Sequence, residues 1–146
     1  MGGLSQTKRH WVRRGSTVLD LALVMPMFLS LAFGTVEYGY YFFVKNTLQG
    51  AAREGVRRAI VPGASSSNIT SAVNQVMTAA GFSSGEYSVS VLPAGWTTAP
   101  AGTDITVTVS ATWGSIGVEP LPDALGGISS SKVLSGTTVM RSDGTP

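Results

Sequence analysis

The chain has 146 residues, 43% hydrophobic and 12% charged, with a formal net charge of +2. It has no Cys and a single His, His10, which excludes a disulfide framework, a thiolate metal site, and a His-assisted nucleophile or His-based metal centre in the body of the chain. Eight of the ten Lys and Arg precede Val61 and five of the eight acids follow it. The pI of 9.2 is therefore a property of the part before Val61. That charge flanks an apolar helix rather than lining a groove, so it does not point to nucleic acid.

Residues 1–15 form a short basic leader containing Lys8, Arg9, Arg13 and Arg14. Arg13 and Arg14 would also suit a twin-arginine signal, but Asp20 argues against one, because the apolar region of an export signal is normally uncharged. Cleavage of an ordinary secretory signal would fall near Ala32, Phe33 and Gly34, yet the apolar run continues well past that point. Residues 21–44 carry only one charge, Glu37. At about 1.5 Å per residue they reach roughly 36 Å, enough to cross a hydrocarbon core of about 30 Å. Pro26 lies inside this run, cannot donate to the Ala22 carbonyl, and is expected to kink or loosen the first turns. Ser30, one turn on, is placed to bond back to the Pro26 carbonyl. Tyr38, Tyr40, Tyr41, Phe42 and Phe43 suit an interfacial aromatic belt, and Glu37 would meet a partner cation or lie among those tyrosines. Lys45, Arg53, Arg57 and Arg58 balance the four leader cations, so charge counting does not orient the segment.

The helical period continues beyond the membrane-length run through Leu48, Ala51, Ala52, Val56, Ala59 and Ile60, with Glu54 and Arg58 spaced as an i,i+4 pair. Thr47, Ala51, Gly55 and Ala59 form a small-residue stripe that admits close packing, either on the chain's own domain or on a partner. Pro62 and Gly63 end the helix, which is predicted over 16–61 and membrane-spanning to about residue 44. Residues 62–146 are expected to form an exported domain. Ser67 is the expected N-cap of a second helix with an apolar stripe at Ile69, Ala72, Val73, Val76, Met77 and Ala80, stopped by Gly81. Asn68, Ile69 and Thr70 match a glycosylation triplet, a pattern common by chance.

Period-two alternation marks one strand through Tyr87, Val89 and Val91 and another through Ile105, Val107, Val109 and Ala111. Pro93, Gly95, Pro100 and Gly102 make the connection a loop of about eleven residues, and 114–127 is a Gly/Pro-rich excursion. Residues 132–141 read as a third strand, weakened by Gly136. Three strands and one short helix make a thin layer that needs the apolar face of the long helix to complete a core. The predicted fold class is α+β: a long N-terminal transmembrane helix continuing into a small domain of one short helix and a three-stranded antiparallel sheet.

Gly15, with Asp20 as the fifth residue after it and an apolar helix beyond, resembles a type IV prepilin processing site, although prepilins usually carry Glu where Asp20 stands. The longer pattern is similar to the TadE-like pseudopilins of the tight-adherence (Flp) pilus. It comprises Arg13, Arg14 and Gly15, then Asp20, then Ala22, Leu23, Val24, Met25 and Pro26, then Glu37 before Tyr38, and finally Ala51, Ala52, Arg53, Glu54, Gly55, Val56 and Arg57. Ser135 to Arg141 also looks like that family's terminal strand. The good match covers residues 13–61. The resemblance implies a type IV pilin-like fold, cleavage by a prepilin peptidase between Gly15 and Ser16, and a leader that is cytoplasmic in the bacterial inner membrane with the domain outside. The implied partners are that peptidase, other pseudopilins and the pilus assembly platform, with no cofactor, metal, nucleic acid or small-molecule substrate.

Cleavage there would free the Ser16 amine, which has a reference pKa near 8 and is largely cationic at neutral pH. Asp20 lies one helical turn away, able to pair with that amine or a neighbour's, which offsets the cost of a carboxylate near the membrane. Two other function classes compete. One is an uncleaved single-pass anchor presenting its Ser/Thr-rich strands to a ligand. The other is an enzyme, against which stand the missing His and Cys and the absence of a Gly-rich loop after a strand. Asp104, Glu119 and Asp123 are the only candidate carboxylate cluster, and their neighbours read as strand-end and turn chemistry.

Overall fold

The structure, a computed structural model, describes residues 13–118, 121–123 and 126–142, and of 13–16 the backbone alone. The leader through residue 12, with Glu119, Pro120 and Asp143, lies outside the described residues.

Helix α1, Arg13–Ala59, is 47 residues long, about 70 Å at 1.5 Å per residue. It runs on through Pro26, and the Ser30 hydroxyl donates to the Pro26 carbonyl at 2.8 Å as the spacing predicts. Arg57 and Arg58 both pair with Glu54, at 3.3 and 3.4 Å. Helix α2, Ser66–Ala79, is capped by Ser65, whose hydroxyl accepts the Asn68 N–H at 3.3 Å. This corrects the expected cap at Ser67. All three consecutive serines are chemically able to cap, and Ser65 is the one with extended backbone, its carbonyl accepting the first helical bonds from Asn68 and Ile69. Gly81 adopts φ +93° just past the helix, while the Phe82 N–H returns to the Met77 carbonyl at 3.0 Å.

Strands β1 (Tyr87–Leu92), β2 (Asp104–Thr112) and β3 (Val133–Arg141) form an antiparallel sheet in the order β1-β2-β3. Val89 is opposite Val109, and Val107 is opposite Thr138. A 3₁₀ turn, Trp96–Thr98, lies between the first two strands, and a short helix α3, Trp113–Ile116, follows β2. Helix α3 thus takes up the start of the Gly/Pro-rich excursion expected over 114–127.

The core lies between the sheet and the helices. Ile105, Val107, Val109 and Ala111 of β2 are buried against Val44, Leu48, Ala51, Ala52 and Val56 of α1 and Ile69, Val73 and Met77 of α2. β1 is tied to α2 by the Tyr87 hydroxyl, which donates to Asn74 Oδ1 at 2.7 Å. Burial raises the pKa of that hydroxyl above its ordinary value. The opposite face of the sheet is a hydroxyl surface: Ser88 bonds Ser110 at 2.9 Å, and Thr108 bonds Thr137 at 3.1 Å. The architecture is α+β, with the second half of the long helix completing the core as the thin layer required.

Candidate functional site

Helix α1 has two distinct parts, set by what covers it. From Thr17 to Phe33 the side chains are outside the domain: Leu23 is 77% exposed, Met27 72% and Phe28 67%. The most apolar 18-residue window of this helix has none of its residues buried. Among the described residues α1 is the one helix long and apolar enough to cross a membrane. Asp20 belongs to this uncovered part, beside exposed Val18, Leu19 and Leu21. Gly15 and Ser16 are helical in the backbone, one turn before it. Pro26 lies midway along the uncovered part.

The covered part begins at Gly34, where a Cβ would sit 3.6 Å from a Leu121 methyl. One turn on, Glu37 is fully buried. Its Oε1 accepts the backbone N–H of Ile128 at 2.6 Å, and its Oε2 has no hydrogen-bond partner among the described residues. Glu37 is thus buried within the domain rather than exposed at an interface among the tyrosines. It fastens a loop 91 residues away in sequence to the helix. The aromatic belt is also divided. Tyr40 and Tyr41 pack on the buried Trp113, with ring centroids 6.0 and 5.8 Å away, and Phe43 approaches Phe82 at 6.3 Å. Tyr38 and Phe42 remain exposed.

The small-residue stripe is spent within the domain. Ala51 and Ala59 are buried, and a Cβ on Gly55 would lie 3.0 Å from Val73 and 3.2 Å from Val107. On the neighbouring face, α1 serves the open edge of β3. The Lys45 ammonium donates to the Ser135 carbonyl at 2.7 Å. The Gln49 amide donates to the Thr137 carbonyl and Thr138 hydroxyl, both at 2.9 Å, and accepts the Thr137 N–H at 3.2 Å. Helix and strand come this close because Gly136 has no side chain: a Cβ there would run into the backbone of Leu48 and Gln49. Gly136 is thus a contact requirement of the strand rather than a weakness.

Sequence reasoning missed Lys45, Gln49 and Trp113. The two helix residues carried no signal, being polar groups on a helix surface. Trp113 did carry one, since it extends the buried odd-numbered series from Ile105 to Ala111 by one further step. Of the imagined carboxylate cluster, Asp104 pairs with Arg141 at 3.5 Å at the sheet end, and Asp123 is exposed in the 121–128 loop. Among the described residues no group of three His, Cys, Asp or Glu stands together.

The arrangement is an uncovered apolar helix with an acid near its start, clamped at mid-length by a compact domain. Residues 15–57 match the model of the TadE-like protein family. Along the long helix the chain is similar to that family. The match opens at Gly15 and ends two residues before the helix does. It thus takes in the uncovered part of the TadE-like helix, the Glu37 latch and most of the packed stripe, while the sheet lies beyond it. No curated protein and no solved structure matches the chain.

Proposed function

We propose that the chain is a minor pseudopilin, an assembly subunit of a tight-adherence (Flp) pilus, anchored by residues of α1 in the bacterial inner membrane and processed by a prepilin peptidase between Gly15 and Ser16. The observation that carries the reading is that the TadE-like match begins at the glycine proposed for cleavage and takes in the whole uncovered part of the helix. In this reading the leader is cytoplasmic and the domain extracytoplasmic. The chain is a substrate of the peptidase and has no catalytic role of its own. Asp20 supplies a negative charge one turn from the new Ser16 amine, serving this subunit or its neighbour, and the apolar surface of 17–33 meets lipid or the helices of other pseudopilins.

The test is N-terminal peptide mass spectrometry of the membrane-extracted protein, with and without the peptidase. A peptide beginning at Ser16 only when the peptidase is present is the expected result. An intact leader in both samples would overturn processing and favour an uncleaved anchored module displaying the hydroxyl face of the sheet. A new terminus near Thr35 would point to an ordinary secretory signal. Asp20→Ala is expected to reduce cleavage in that assay or the amount of the subunit recovered in sheared pili, and unchanged values for both would sink the charge-pair role.

A further inference from the structure

The two edges of the sheet differ in what covers them. In an antiparallel ladder, residues alternate between bonding the neighbouring strand and pointing their N–H and C=O groups the other way. The Trp113 N–H donates to the Lys132 carbonyl at 2.7 Å and continues the register of β2 on β3. The odd-numbered residues of β2 therefore bond β3, and the even-numbered ones bond β1. On β3 the outward groups include those of Ser135 and Thr137, which Lys45 and Gln49 of α1 take up. On β1 they are the N–H and C=O groups of Tyr87, Val89 and Val91, because Val89 stands opposite Val109. Among the described residues no hydrogen bond reaches them, and β1 pairs with β2 alone. The strand also has none of the guards common on open edges: no charged residue, no proline and no break in register. Its core-facing Val89 and Val91 are only half-buried, while Val109 and Val107 opposite them are fully buried. The apolar layer runs out before β1 is covered.

We infer that the open edge of β1 receives a further strand from another protein, an extended and uncharged segment that alternates apolar with hydroxyl-bearing side chains. Main-chain bonds to Tyr87, Val89 and Val91 hold it. Its apolar side chains complete the cover of Val89 and Val91. Its hydroxyls extend two rows of the outer face, Ser88 with Ser110 and Ser135, and Ser90 with Thr108 and Thr137. A second copy of this chain does not fit. The β3 edge of such a copy is already taken by its own helix. Two β1 strands that pair antiparallel are related by a two-fold axis perpendicular to the sheet. Helix α1 advances along β3, with Lys45 at Ser135 and Gln49 at Thr137, so that axis points the two uncovered helices in opposite directions. One membrane cannot hold both. Parallel pairing turns one sheet over and sets its hydroxyl face beside the other's apolar face. The exclusion of a second copy rests on the membrane-anchor reading of α1.

The probe is a synthetic peptide with the sequence of Tyr87–Leu92 and lysine tails for solubility. It has the required alternation and, with no helix attached, is free to pair antiparallel with β1. Full-length protein in phosphatidylethanolamine/phosphatidylglycerol nanodiscs is titrated with this peptide, and amide hydrogen exchange is read by NMR. Exchange at Val89 and Val91 is expected to slow by about tenfold, with the Ile69 and Val73 amides of α2 unchanged. The same peptide N-methylated along its whole length has no main-chain donors and is expected to give no protection. Val89→Pro removes an outward donor that the β1–β2 ladder does not use, so a dispersed spectrum is retained while protection of Val91 by the peptide is lost. Unchanged exchange at Val89 and Val91 at millimolar peptide would overturn the inference. Equal protection by the methylated peptide would replace strand addition with apolar adhesion. Protection without peptide that grows with the number of chains per nanodisc would overturn the foreign occupant in favour of a second copy. A chain that stays outside the nanodiscs would remove the anchor reading instead, and with it the exclusion of that second copy.

Discussion

Glu37 joins two parts of the chain that are distant in sequence, through one short bond to the Ile128 N–H. Deleting the acceptor leaves a buried donor unpaired, at a cost of about 1–3 kcal/mol. The penalty falls on the attachment of one loop, so it should appear as local opening before it appears as global unfolding. Glu37→Ala is therefore expected to speed hydrogen exchange of the Ile128 amide at least fivefold while leaving the β2 amides unchanged. Glu37→Gln retains an acceptor oxygen and should keep most of the protection. Exchange at Ile128 that ignores both substitutions would show that the loop is held by Leu121 packing instead. Asp20 differs in kind: it lies on the uncovered part of the same helix, and its role is sought between molecules.

At the scale of elements, the contact between α1 and β3 sets how closely helix and sheet approach. β3 is an edge strand, and its outward-facing backbone groups are a liability unless covered. Lys45 and Gln49 cover them at Ser135 and Thr137, and Gly136 lets the helix come near enough. Gln49→Ala removes hydrogen bonds that are largely solvent-accessible and should cost about 1 kcal/mol. Gly136→Ala forces helix and strand backbones apart and should cost about 3 kcal/mol or more, because backbone does not yield as a side chain does. Urea midpoints should fall slightly for the first and steeply for the second; equal shifts would contradict the close approach. The elements themselves were legible in the sequence, because burial on one face leaves period 3.6 in α1 and α2 and period two in β1 and β2. The contacts between them were less so. Gly136 read as a propensity defect because the helix backbone beside it is invisible in a linear pattern. Glu37 read as a membrane acid because its partner is a main-chain N–H, which every residue but proline carries.

For the whole molecule, the helix has an uncovered apolar part and a part that belongs to the core, and the covered part begins near Gly34. The sheet and α2 supply one side of the core, including Ile69, Val73, Val107, Val109 and Leu134. The other side comes from Val44, Leu48, Ala51, Ala52, Val56 and Ala59 of α1. A fragment of residues 62–146 would expose the first set to water with nothing to bury it, and three strands with one short helix do not reach independent stability without such a layer. A fragment of residues 34–146 keeps the covering helix, the Glu37 latch and the Trp113 contacts, while losing the leader and the uncovered apolar part. The longer fragment is expected to be soluble and to give a dispersed amide proton spectrum. The shorter is expected to give the narrow spectrum of an unfolded chain or to aggregate. A dispersed spectrum from residues 62–146 would show that the domain does not need the helix. The helix would then be a plain anchor, and the burial of Val44, Leu48 and Val56 would be incidental to folding. If residues 34–146 alone are dispersed, the domain needs only the upper half of its own helix, and in the proposed pseudopilin reading the lower half, with Asp20, is left to meet lipid and neighbouring subunits.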